Sequence, residues 1–184
     1  ADTMPVFNPA NAQQVAEVAL GNEADVDRAV AAAQSAFDSF SLISKFERLN
    51  LLRRIREVTE RRFEDLAQAM RLEMGAPITM AREAQADAAI GHLDGFISAL
   101  EKLEEREDFD NGEVLLREPI GVCGLITPWN WPINQVVLKV LPVIATGCTC
   151  VLKPSEHTPV SAMLYAEILD EAGVPAGVFN LVNG

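Results

Sequence analysis

The chain has 184 residues, 49% of them hydrophobic and 6% aromatic, which is enough for one or two domains with a real core and argues against disorder. Its formal net charge of -12 is unevenly spread: residues 119–184 hold only four acids and two bases of the chain's 27 and 15. The acidic excess therefore belongs to helical surfaces of the first two thirds, which argues against nucleic acid or an anionic membrane as a partner.

Residues 1–22 are short, polar and turn-rich; Asn8-Pro9 starts a turn and Val15-Ala16-Glu17-Val18 predicts a brief strand. No apolar run follows a basic segment there, so no signal peptide is visible, and a cytoplasmic protein is expected. From Glu23 the pattern turns helical, with Val26, Val30, Ala33 and Phe37 at three- and four-residue steps and Asn22 as the N-cap. Ser44 and Glu47 have capping-box spacing ahead of the longest periodic run, whose apolar stripe is Phe46, Leu49, Leu52, Ile55 or Val58, Leu66 and Met70. Arg53, Arg54, Arg56, Arg61 and Arg62 fall mostly on the opposite face, where Glu47, Glu57, Glu60 and Glu64 can pair with them. Gly75 and Pro77 end this helix, and another is predicted from about Thr79 to Leu103. His92 lies on it with no metal-ligand partner at helical spacing, and reads as a packing or surface histidine. The composition then shifts to a charged stretch, and Asn111-Gly112 between extended segments predicts a hairpin.

An apolar, β-branched run from Ile120 to Thr127 leads into Pro128-Trp129-Asn130-Trp131-Pro132. Two prolines fix φ and remove two N–H donors, so this segment is a stiff turn at the carboxyl end of a strand. The remainder reads as helix 133–146, strand 148–153, helix 159–172 and strand 178–182. Such a β-α-β-α-β series implies parallel strands joined by right-handed crossovers, with ligands beyond the carboxyl ends of the strands. No G-x-G-x-x-G follows the first strand, so a dinucleotide would have to be held without the usual glycine turn. Cys123, Cys148 and Cys150 all fall in predicted strands, with neither metal-site spacing nor an even disulfide count, and are expected to act as small buried apolar residues in a reducing compartment. The apolar region Val136–Leu152 is interrupted by Lys139, Pro142 and Gly147 and does not read as a membrane span.

Residues 118–184 carry Glu-Pro-Ile-Gly-Val, Pro-Trp-Asn-Trp-Pro, Leu-Lys-Pro-Ser-Glu and Gly-Val-Phe-Asn-Leu-Val-Asn-Gly. Together these motifs resemble the cofactor domain of the NAD(P)-dependent aldehyde dehydrogenases. Phe7-Asn8-Pro9-Ala10 followed by Val15-Ala16-Glu17-Val18 is similar to that family's opening segment, so the resemblance covers essentially the whole chain. It implies an α/β fold: an N-terminal helical layer, a partial doubly wound, Rossmann-like parallel sheet, and an arm between them. The implied divisions are a helical part of the cofactor-binding domain at 1–103, an oligomerisation arm at 104–119, and a β-α-β-α-β part at 120–184. A full member is more than twice as long, and the family's catalytic cysteine and general-base glutamate lie outside the resemblance, so this chain alone is expected not to turn over.

The implied activity is oxidation of an aldehyde to a carboxylic acid with NAD(P)+ through a cysteine thioester that a glutamate-activated water cleaves. The alternatives are a coenzyme A-acylating relative and a non-catalytic nucleotide-binding or assembly fragment. By the resemblance Asn130 donates to the oxyanion and Lys139 lies near the general base's proton path; a snorkelling Lys139 is the competing reading. The same match puts Ile126, Thr127, Pro128 and Trp129 against cofactor ribose and phosphates, and Lys153, Ser155 and Glu156 at the adenosine ribose. A 2′-phosphate would be repelled by Glu156, so the expected cofactor is NAD, with NADP the alternative. A surface ion pair is the competing reading of Lys153 and Glu156. The expected partners are an aldehyde substrate and further copies of the chain in a dimer or tetramer.

Overall fold

The computed structural model describes residues 2–184. A hairpin opens the chain: β1 (Thr3–Asn8) pairs antiparallel with β2 (Gln13–Ala19), with a bulge between Val6 and Phe7. The sequence predicts only the second strand, because Pro5 sits inside the first. Proline is tolerated there since β1 has a partner on one side only.

Three helices follow, α1 (Glu23–Phe40), α2 (Lys45–Arg61) and α3 (Phe63–Met74). Asn22 and Ser44 make the expected caps, each as a reciprocal capping box, with Asp25 and Glu47 as the returning acids. The predicted single run to Gly75 is broken at Arg62, whose φ of -95° and ψ of 13° leave the helical region. Arg62 donates to Asp65 on α3 and to Glu167 and Glu171 across the interface, at 2.5, 3.2 and 3.4 Å. The break sends α3 toward the hairpin while α2 stays on the central helices, and the apolar spacing carries through it unaltered. Gly75 terminates α3 in the left-handed region, at a φ of 69°, where a Cβ would press on Pro9 and Ala10.

The next helix starts with α4 (Ile78–Met80), passes through a π-helical turn (Ala81–Ala86), and continues as α5 (Asp87–Lys102). Asp87 N–H donates to the carbonyl of Arg82, five residues back. The sequence predicts an unbroken α-helix there, since one widened turn hardly disturbs the apolar period.

A ribbon of β3 (Arg106–Asp108) and β4 (Val114–Leu116) stands away from the core, antiparallel, with its turn at the Asn111-Gly112 pair. Arg48, buried on α2, forms an ion pair with Glu105 at the ribbon's root.

The last part is a parallel sheet in the order β5 (Val122–Ile126), β6 (Thr149–Lys153), β7 (Phe179–Leu181). Helices α6 (Pro132–Ala145) and α7 (Pro159–Glu171) form the crossovers. Helix α1 packs on the sheet from the other side, where Thr149 Oγ donates to the carbonyl of Ala33 at 2.9 Å. Cys148 lies one residue before β6 rather than within it, because Gly147, at a φ of 76°, has only just turned the chain out of α6. Leu52, Ile55, Leu66, Leu93, Ile144 and Leu152 belong to one apolar cluster spanning the first helices and the sheet. Among the described residues, no helix is long and apolar enough to cross a membrane.

Candidate cofactor site

Two turns meet at the carboxyl ends of β5 and β6. Ile126 is the register partner of Lys153, and Thr127 N–H donates to the Lys153 carbonyl at 3.3 Å, which ties the start of the Pro-Trp turn to the end of the second strand. Thr127 is buried, whereas Pro128, Trp129 and Asn130 are exposed. Pro132 then opens α6, and Pro159 opens α7 in the same way after the second turn. Both helices thus begin at the carboxyl end of the sheet, where the positive ends of their dipoles favour negative charge.

The second turn has a stiff interior. Ser155 is buried; its hydroxyl accepts from His157 N at 3.3 Å, and its carbonyl accepts from Thr158 N at 3.1 Å. Lys153 Nζ lies 3.6 Å from Glu156 Oε2, and His157 Nε2 lies 3.7 Å from Glu156 Oε1. The Glu156 carboxyl is held below its ordinary range, first by its own backbone N–H and then by the charges of Lys153 and His157. An ionised acceptor therefore stands beside an ammonium donor, at the rim of a largely apolar groove of about 640 Å³. Trp129 from the first turn, and Glu156, His157 and Thr158 from the second, line that groove together with β1 residues.

Asn130 is exposed, and its side-chain amide has no hydrogen-bond partner among the described residues. Lys139 lies further along α6 and outside the groove lining; it is half-buried, with Nζ 3.4 Å from Gln135 Oε1. It is thus neither a sealed core charge nor a freely extended one. The structure brings Thr127, Trp129, Lys153, Ser155 and Glu156 together and leaves Lys139 apart. Burial pushes the Cys150 thiol up to about 12 and raises Cys123 too, so neither is poised as a thiolate.

Two polar contacts near the site are not predicted from the sequence. His92 Nε2 is 2.7 Å from Asn134 Oδ1, so this histidine links α5 to the first turn of α6. Glu73, at the end of α3, reaches the start of α7. An acid in the last turn of its own helix opposes the helix dipole, and that is the signal in the sequence that it serves another element.

The sequence profile described as "Aldehyde dehydrogenase family" matches residues 1–184. The chain belongs to the aldehyde dehydrogenase family. It is 51% identical over 180 residues to a 3-succinoylsemialdehyde-pyridine dehydrogenase of Pseudomonas sp., covering 97% of this chain and 38% of that protein. A crystal structure of an aldehyde dehydrogenase from Bartonella henselae superposes with a TM-score of 0.97 at 47% identity, covering 100% of this chain and 39% of the other. An aldehyde dehydrogenase C variant from Pseudomonas syringae, solved in complex with NAD+ and octanal, gives a TM-score of 0.97 at 50% identity, with 100% and 38% covered. The chain thus spans well under half the length of the aldehyde dehydrogenases it matches, and it has their α/β architecture over its whole length.

Proposed function

We propose that residues 1–184 form the cofactor-side part of an enzyme that oxidises an aldehyde to a carboxylic acid with NAD(P)+, NAD being preferred. The observation that carries the reading is the juncture of the two strand-end turns, with Trp129 and Glu156 on one groove and Lys153 Nζ 3.6 Å from the Glu156 carboxylate. The donor set fits a dinucleotide: the Glu156 carboxylate accepts from ribose hydroxyls, and Lys153 donates to them. Ile126, Thr127, Pro128 and Trp129 form the wall along ribose and phosphates, with Ser155 stiffening the turn beneath. When bound, the nicotinamide supplies a hydride acceptor. The chain's own part in the chemistry is Asn130, whose unpaired amide is available to donate to an oxygen that gains charge as the aldehyde carbonyl is attacked. Such a donor costs no reorganisation at the moment of reaction. Lys139, half-buried on α6, sits along the route by which a general base would exchange its proton. Residues 104–119 are the arm that pairs with another copy, in a dimer or tetramer.

The test is Asn130→Ala in the intact protein. We expect kcat to fall by on the order of a hundredfold or more, with NAD affinity nearly unchanged. An unaltered kcat would return Asn130 to the role of a turn residue.

A further inference from the structure

Helix α7 starts without a cap of its own. Its N-cap residue, Thr158, makes no side-chain capping bond, and no acid occupies its first turn. The first-turn donors are instead met from 87 and 88 positions away in the sequence. Val160 N donates to Glu73 Oε2 at 2.6 Å, and Ser161 N donates to Glu73 Oε1 at 3.1 Å. The residue is only 2% exposed, so both oxygens of a buried carboxylate are committed to one helix end.

That helix end is also the far anchor of the second turn. Lys153 is fixed by β6 on one side, and the chain from Pro154 to Thr158 runs without other secondary structure into Pro159. Glu73 lines the same groove as Glu156 and His157. We infer that Glu73 is a positioning residue for the cofactor, holding the start of α7 so that Glu156 is presented to the ribose at a fixed distance from Lys153. The inference rests on the ribose reading of Lys153 and Glu156 given above. Without the two accepted bonds, the first turn of α7 frays, the connection gains slack, and Glu156 is dispersed over positions that no longer face a ribose.

The experiment uses the intact protein and three variants, Glu73→Gln, Glu156→Gln and their combination, with NAD varied at saturating aldehyde. Glutamine keeps the volume but places an N–H2 group against one of the two helix donors. The expected result is a rise of about fivefold in KM for NAD on Glu73→Gln, with kcat within about twofold, and little further change when Glu156→Gln is already present. Amide exchange should quicken at Val160 and Ser161 in the Glu73 variant. An equal fall in kcat and kcat/KM, or a full fivefold effect persisting on the Glu156→Gln background, overturns the inference. If Glu156→Gln alone leaves KM for NAD unmoved, the ribose reading itself fails, and this inference goes with it. Should Glu73→Gln not fold, Glu73→Asp keeps the charge on a shorter stem; it is expected to give the same split at smaller amplitude, and absence of that split counts against the inference.

Discussion

Glu156 has Lys153 on one side and His157 on the other, yet it stays largely in solvent. Its influence on cofactor choice is therefore a screened one. A 2′-phosphate brought to the same place meets like charge, and rotation of the carboxylate into water relieves most of the repulsion. Glu156→Gln should weaken NAD modestly and improve NADP, whereas Lys153→Ala should weaken both, and NADP more. The NAD-to-NADP ratio of kcat/KM in the intact protein checks this, and a ratio unmoved by Glu156→Gln would reduce the pair to a surface ion pair. Glu73 behaves oppositely. Burial, opposed by the donors of Ser161 and Val160, raises its pKa from 4.5 to about 7. Between these values the folded chain keeps a proton that the unfolded chain has released, so stability falls as pH rises through the window. The whole contribution, at most about 3 kcal/mol, is present below the lower value. Urea midpoints of wild type and Glu73→Gln, compared across that window, should show the slope reduced in the variant. The motifs around residues 126–132 and 153–156 are local, and they announce a site in the sequence. Glu73 is not announced in this way, because its partners lie on a helix that only the fold brings near.

At the scale of elements, the β-α-β-α-β series is legible almost residue by residue. Prolines at 128, 132, 154 and 159 mark the turns that lead from the first two strands into their helices, and each strand is a short, mainly apolar run. The first helices are legible at their starts, where Asn22 and Ser44 cap, and much less so in their interiors. Neither the break at Arg62 nor the π turn at Ala81–Ala86 interrupts the apolar period, since both depend on what the helix meets in space. β1 is hidden for a different reason: a proline in a two-stranded hairpin is allowed by the edge it faces, which no local pattern reveals. The Ser44 capping box has both arms formed, with Glu47 accepting from the Ser44 backbone at 2.8 Å. Ser44→Ala should therefore cost about 1 kcal/mol in chemical denaturation, and Gly should cost only a few tenths. Gly177 is under a harder constraint. Its φ is 84°, and a Cβ would lie 2.7 Å from the Ala32 carbonyl oxygen on α1, so Gly177→Ala should lower the denaturation midpoint more than Ser44→Ala does.

For the whole molecule, the ribbon of β3 and β4 projects an apolar surface that the rest of the chain does not cover. Phe109, Val114, Leu115 and Leu116 are all exposed on it. The arm proposal predicts that Leu116→Glu in the intact protein shifts the assembly toward smaller species in light scattering, with little change in the helical signal. A mass distribution identical to wild type would rule the ribbon out as an assembly surface. Residues 1–184 alone should give no aldehyde-dependent NADH, and turnover that disappears on replacing Cys123, Cys148 or Cys150 would overturn that expectation.

Helix α1 is completed within the first 40 residues, but the surface it covers is made of strands from residues 122 to 181. The bond from Thr149 to Ala33 spans 116 positions, and the Gly21 N–H donates to the carbonyl of Asn183 at 2.7 Å. During synthesis the apolar side of α1 must therefore wait on the order of ten seconds for its partner to leave the ribosome. The long separation between this helix and the strands it packs on leaves its apolar side open to chaperones and proteases during translation. A protease added to stalled nascent chains should cut within residues 23–40 until the stretch beyond residue 149 has emerged, and spare them afterwards.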